Sequence, residues 1–217
     1  IANTCALECV MCGGHWSSAI RARRARLPPL RNPYDARFLR EIEELLPTIV
    51  AARFLGGEPL LIPAYLEIWD GIRRLNPQAE VSITTSGDVL PERPRQMLEH
   101  LRASIAVSLD GVTRETYEAI RLNASFDRVM ENLRYFSDYT RRRGTTLSAA
   151  VCPMTHNWHE LPAIVEFCEQ QRLKLFFNTV TWPVESALSG LSAAALAEVI
   201  DGLEAGAAQA SRGWTAG

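Results

Sequence analysis

The stretch Ala51-Ala52-Arg53-Phe54-Leu55-Gly56-Gly57-Glu58-Pro59 is a short apolar run that stops at two glycines, an acid and a proline. A run of this length, bounded by turn residues, reads as a buried strand, and Gly and Pro are expected where a strand turns into a helix. Beyond the turn, Leu66, Trp69, Ile72 and Leu75 recur at helical spacing. The same unit then repeats. Residues 80–84 are strand-like, end in Thr85-Ser86-Gly87, and lead to a helix marked by Met97, Leu98 and Leu101. Residues 104–109 end in Asp110-Gly111, and Ser125 caps a long helix with Phe126, Val129, Leu133 and Phe136 on its inner face. A strand over 145–151 precedes a helix carrying Leu161, Ile164, Val165 and Cys168. A last strand covers 173–180, and an Ala-rich helix covers 192–210 with Leu196, Val199, Ile200 and Leu203 inward. Upstream, Asn32-Pro33 is placed to start a helix whose apolar face holds Phe38, Leu39, Ile42, Leu45 and Leu46, with Pro47 limiting its end.

Strands alternating with helices imply parallel pairing and right-handed crossovers. The polar residues fall just after the strands, at Gly57-Glu58, Thr85-Ser86, Ser108-Asp110 and Asn178. In parallel α/β folds functional groups gather at that rim. If Ile1-Ala2 is the stub of a preceding strand, the expected fold is a partial (β/α)6 TIM-like barrel of parallel strands with outer helices, its first strand largely missing. The barrel is expected over residues 1–183. Residues 184–217 form the Ala-rich helix and a Gly/Ser-containing tail that reads as the start of a linker.

The 217 residues, 47% hydrophobic and 22% charged, suffice for one well-buried domain. A net charge of −2 gives no bulk attraction to nucleic acid or to an anionic membrane. No apolar run reaches spanning length, and the first segment is not a signal peptide. Ile1 is not an initiator Met, and the chain is expected to be part of a longer protein.

Three of the five cysteines, Cys5, Cys9 and Cys12, fall within eight positions at the spacing Cys-x3-Cys-x2-Cys. They are too close together to form a sensible disulfide framework, and such thiols point to a reducing, cytoplasmic location. Three thiolates hold three corners of a cubane cluster and leave one iron without a protein ligand. Soft thiolates also suit zinc, which takes four ligands, and His15 would then be the fourth. Three readings stay open on the residues alone: an enzyme, an iron–sulfur electron carrier and a zinc-stabilised binding module. Cys152 and Cys168 stand alone and read as small buried hydrophobes. The basic run over residues 21–26 reads as a solvated face, and His15, His156 and His159 as surface residues.

The cysteine spacing together with Gly56-Gly57-Glu58-Pro59 resembles the radical S-adenosylmethionine (radical SAM) enzymes. The stretch Ser108-Leu109-Asp110-Gly111, then Tyr117-Glu118-Ala119-Ile120-Arg121, then Ser125-Phe126 is similar to the branch carrying C-terminal SPASM/twitch auxiliary-cluster domains. The resemblance implies a [4Fe–4S] cluster on Cys5, Cys9 and Cys12 whose fourth iron is chelated by S-adenosyl-L-methionine (AdoMet). It implies reductive cleavage of AdoMet to a 5′-deoxyadenosyl radical, which takes a hydrogen from substrate. It places Gly56, Gly57 and Glu58 at the methionyl ammonium, and Thr85 or Ser86 at the methionyl carboxylate or ribose. It places Ser108 and Asp110 at the ribose, Arg121 at the carboxylate and Met11, where an aromatic residue is usual, near the adenine. The implied partners are a flavodoxin or ferredoxin as electron donor and a precursor peptide or small metabolite as substrate.

Overall fold

The computed structural model describes residues 2–32 and 34–214, with side chains to residue 207. Its centre is a sheet of β1 (Ala51–Phe54), β2 (Glu80–Thr85), β3 (Ala103–Ser108), β4 (Leu147–Val151) and β5 (Lys174–Phe177). The spatial order is β1-β2-β3-β4-β5, and every pairing is parallel. Each crossover therefore steps to the next neighbour, and no strand order reverses as it would in a doubly wound sheet.

The crossovers run through α3 (Pro63–Leu75), α4 (Glu92–Leu98), α5 (Arg114–Ile120) with α6 (Phe126–Arg143), and α7 (Leu161–Gln170). Alternation along each strand sends one set of side chains to these helices. Val81, Ile83, Ile105, Val107, Leu147 and Val151 meet Trp69, Ile72, Leu98, Phe136 and Ile164 in one dry core. The other face is concave and carries Arg53, Ser82, Thr84, Ser104, Ser148 and Phe176 around a groove of about 540 Å³.

The five expected strands all form. Among the described residues there is no sixth strand; Ala2 is irregular and Ile1 lies outside the described residues. Two further helices precede the sheet, α1 (Ser18–Arg23) and α2 (Ala36–Leu45). The expected Asn32-Pro33 start of α2 moves to Asp35, whose side chain accepts from the N–H groups of Arg37 and Phe38; Pro33 lies outside the described residues. A 3-10 turn over Leu46–Thr48, with Pro47 inside it, ends α2 as expected.

The last helix, α8 (Ala193–Trp214), runs straight through the stretch that read as the start of a linker. Alanine is the strongest helix former, and Gly202 and Gly206 let the helix approach closely. A Cβ at Gly202 would sit 2.6 Å from Trp158 Cζ3, and one at Gly206 would sit 2.4 Å from Pro162 Cγ. Among the described side chains of this helix Val199 is buried, while Leu196 and Ile200, expected inward, are 37% and 48% exposed.

Candidate metal centre and cofactor rim

The cysteine loop is ordered by its own backbone. Ser18 Oγ donates to Cys5 O at 3.0 Å and accepts from the Cys5 N–H at 3.1 Å. Ser17, the N-cap of α1, accepts from the Ile20 N–H and donates to Leu7 O at 2.6 Å. On the other side Glu8 N–H donates to Leu122 O and Val10 N–H to Ile120 O. The loop is thus strapped between α1 and the end of α5.

The Gly-Gly-Glu-Pro turn closes onto the same loop. Glu58 N–H donates to Thr4 O at 2.7 Å. Gly57 has φ +53°, and a Cβ there would lie 2.6 Å from Thr4 O and 2.9 Å from Asn3 C. Only glycine permits both this conformation and this approach. The two motifs are therefore one assembly, although Cys12 and Gly57 are 45 positions apart.

Glu58 is 2% exposed. Its Oε1 accepts from Leu60 N–H and Thr85 Oγ, and its Oε2 accepts from Ser86 N–H and Ser86 Oγ. Burial pushes this carboxyl above the usual range, and the Ser86 and Thr85 donors pull against that. Three of the expected cofactor residues, Glu58, Thr85 and Ser86, are thus brought together by hydrogen bonds to one another. No described residue donates to the carbonyls of Gly56 and Gly57.

Asp110 and Arg121 are also brought together, and to the cysteines. Asp110 is fully buried, and its Oδ1 accepts from Cys152 N–H at 2.7 Å. Its Oδ2 lies 2.6 Å from Arg121 Nη2, as an ion pair without hydrogen-bond alignment. Arg121 Nη1 reaches Cys9 Sγ at 3.8 Å, and Arg121 Nε is buried with no partner among the described residues. Burial works against the guanidinium's charge, but Asp110 and Cys9 outweigh it. Asn157 pins this end of the sheet by donating to Asp110 O and Cys152 O. Glu160 holds the turn before α5 through Val112 N–H and Thr113.

The remaining expected residues lie around the same rim. Ser108 is half-buried at the end of β3. Met11 is half-buried against the apolar group of Ile120, Met154, Val180 and Ala187. Cys152, read from sequence as a small buried hydrophobe, is half-buried against the same apolar group, and its N–H donates to Asp110. The signal for it was its place after β4, equivalent to that of Asp110 after β3. His15, His156 and His159 are exposed and Cys168 is in the core, as expected.

The donor set fits a [4Fe–4S] cluster. Burial pushes the Cys5 thiol up to about 11. The neighbouring Cys12 thiol holds Cys9 low, the same pairing and burial push Cys12 up, and Arg121 favours the thiolate at all three. Among the described residues no three His, Cys, Asp or Glu side chains converge on a point fit for a single metal ion. A cubane instead takes each thiolate on a different iron. The buried, unpartnered Arg121 Nε adds a donor of the sign that an anionic cluster or a carboxylate accepts.

A family model described as the Radical SAM superfamily matches residues 1–168. A GTP 3′,8-cyclase of Mycobacterium marinum is 31% identical over 130 residues, covering 58% of this chain and 35% of the relative. A probable GTP 3′,8-cyclase of Methanocaldococcus jannaschii is 26% identical over 170 residues, covering 77% of this chain and 53% of the relative. Among solved structures, anSMEcpe with bound AdoMet superposes with a TM-score of 0.64 at 18% identity, over 84% of this chain and 50% of that one. SuiB of Streptococcus suis bound to precursor peptide SuiA gives 0.64 at 16% identity, over 92% and 44%. The chain thus spans about a third to a half of the length of these proteins. Among the described residues no helix is long and apolar enough to cross a membrane. With the three-cysteine loop, the Gly-Gly-Glu-Pro turn locked to it and a sequentially ordered parallel half-barrel, the match over residues 1–168 shows that the chain belongs to the radical SAM superfamily, whose cofactors are a [4Fe–4S] cluster and AdoMet.

Proposed function

We propose that this chain is the AdoMet-cleaving barrel of a radical enzyme acting in the reducing cytoplasm. The observation that carries the reading is the locking of the cysteine loop to the Gly-Gly-Glu-Pro turn through Gly57 and the Glu58–Thr4 hydrogen bond. When bound, the cluster and AdoMet supply reductive cleavage to a 5′-deoxyadenosyl radical that takes a hydrogen from substrate. Cys5, Cys9 and Cys12 hold the cluster. The carbonyls of Gly56 and Gly57 accept from no donor among the described residues and suit the methionyl ammonium. Glu58 acts from behind, fixing the turn and the hydroxyls of Thr85 and Ser86. Arg121 meets the methionyl carboxylate, Ser108 and Asp110 lie on the ribose side, and Met11 packs toward the adenine.

On this reading residues 1–183 are the barrel, and residues 184–217 are an Ala-rich helix and tail appended to it. The concave face sets hydroxyls and Arg53 beside Leu55 and Phe176, which suits a substrate with both polar and apolar parts. SuiB bound to a precursor peptide supports a peptide, and the GTP 3′,8-cyclases support a small metabolite. A flavodoxin or ferredoxin supplies the electron. The test is anaerobic reconstitution followed by reduction with AdoMet. About four irons per chain and release of 5′-deoxyadenosine are expected, with both lost in Cys9→Ala. A chain that takes up no cluster, or a Cys9→Ala variant that still cleaves AdoMet, overturns the reading.

A further inference from the structure

Cys9, Arg121 and Asp110 form a short line of alternating charge within the protein. The guanidinium touches Cys9 Sγ at 3.8 Å on one side and Asp110 Oδ2 at 2.6 Å on the other. Both charged side chains are at most 10% exposed. Charges in such a place are weakly screened, so their effect on a neighbouring centre is large and depends on distance. Asp110 is held independently of Arg121, by the Cys152 N–H at its Oδ1 and by Asn157 at its carbonyl. The guanidinium is in direct contact with the cysteine sulfur, and among the described residues no hydrogen bond joins the carboxylate to that sulfur.

We propose that Arg121 and Asp110 set the reduction potential of the cluster held by Cys5, Cys9 and Cys12, Arg121 raising it and Asp110 restraining the rise. The proposal rests on the radical SAM reading of those cysteines. One-electron reduction adds negative charge to the cluster. A cation and an N–H···S contact at Cys9 stabilise that added charge, and the carboxylate opposes them. Net charge and hydrogen bonds to the sulfurs are the terms by which a protein moves such potentials. Arg121 is in this respect a positioning residue for the electron.

The experiment is an EPR-monitored potentiometric titration of the reconstituted chain without AdoMet, so that contacts to the methionyl carboxylate contribute nothing. Arg121→Gln is expected to lower the midpoint. At the wild-type midpoint its ratio of reduced to oxidised cluster falls at least about tenfold, which is about 59 mV for one electron. Asp110→Asn is expected to raise the midpoint. Arg121→Gln leaves a buried carboxylate unpaired and can fail to hold four irons. In that case Asp110→Asn/Arg121→Gln, which removes both charges, is compared with Asp110→Asn alone and is expected to titrate lower. Midpoints that stay put, or that move together in the two single variants, overturn the proposal, as does a double variant equal to Asp110→Asn. A wild-type chain that takes up no cluster fails the radical SAM reading instead, so the two failures are distinguishable.

Discussion

Replacing Gly57 by alanine tests the locking of the two motifs most directly. Gly57 sits at φ +53°, where a Cβ costs about 1–2 kcal/mol in backbone strain. That Cβ would also lie 2.6 Å from Thr4 O, a backbone atom with no freedom to swing aside. The Asn3–Thr4 segment must withdraw, and the 2.7 Å hydrogen bond from Glu58 N–H to Thr4 O goes with it, a loss of about 1 kcal/mol. The sum is about 2–3 kcal/mol. Gly144 is the internal control. It caps α6 at φ +62°, and a Cβ there meets nothing within 4 Å, so Gly144→Ala carries only the backbone strain of about 1–2 kcal/mol. Urea unfolding of the cluster-free chain measures both losses. Iron per chain after anaerobic reconstitution measures the consequence at the cysteines. Gly57→Ala is expected to be the less stable variant and to load less iron, while Gly144→Ala loads iron like the wild type. Equal stability losses with equal iron contents would refute the coupling of turn and loop.

Three further outcomes follow from the contacts at the rim. Glu58→Gln preserves shape but sets an amide N–H₂ against donors that now meet a carboxylate, leaving at least one buried donor unsatisfied. A loss of about 1–3 kcal/mol in urea unfolding is expected, and a loss below about 0.5 kcal/mol would show that the carboxylate is not the organising acceptor. Burial pushes the Glu160 carboxyl up, but the Thr113 and Thr116 side chains and the Val112 and Thr113 N–H groups outweigh it and hold it below its ordinary value. Its stabilisation is therefore present above the unfolded-state pKa of about 4.3 and is lost as pH falls through the lower folded value. The stability of wild type should fall more steeply than that of Glu160→Gln below about pH 5, and parallel pH profiles would remove Glu160 from this role. Finally, the loop is held by hydrogen bonds of Ser17, Ser18 and the Glu8 and Val10 N–H groups to neighbouring backbone. Removal of the cluster by oxidant and chelator should leave far-UV circular dichroism unchanged, unlike a zinc finger, which unfolds without its metal; loss of the helical signal would count against this account.

The half-barrel was legible because its strands and helices announce themselves by periodicity. Residues 80–85 and 103–108 alternate between core and concave face, and Trp69, Ile72, Val129, Leu133 and Phe136 fall at helical spacing. The metal ligands were legible because their spacing is local. Helix α1 was not legible, since its cap at Ser17 depends on Leu7 and the arginines around it read as a charged surface run. The start of α2 was misplaced because Asn32 and Asp35 are both good caps, and only the structure shows Asp35 accepting from Arg37 and Phe38. The line from Cys9 through Arg121 to Asp110 was also hidden. It joins residues 112 positions apart in the case of Cys9 and Arg121, and no periodicity marks a contact made by a buried ion pair. Cys152 was passed over because an isolated cysteine is most often a small hydrophobe.

The docking of α8 has a structural consequence. Its 22 residues make a rod of about 33 Å, braced near the middle where Gly202 and Gly206 rest on Trp158 and Pro162. Trp158 stands between Asn157, which grips the ends of β3 and β4, and Glu160, which grips the turn before α5. The packing of α8 on Trp158 and Pro162 therefore reaches the strand ends that carry Asp110 and Cys152 through the two neighbours of Trp158 that grip them.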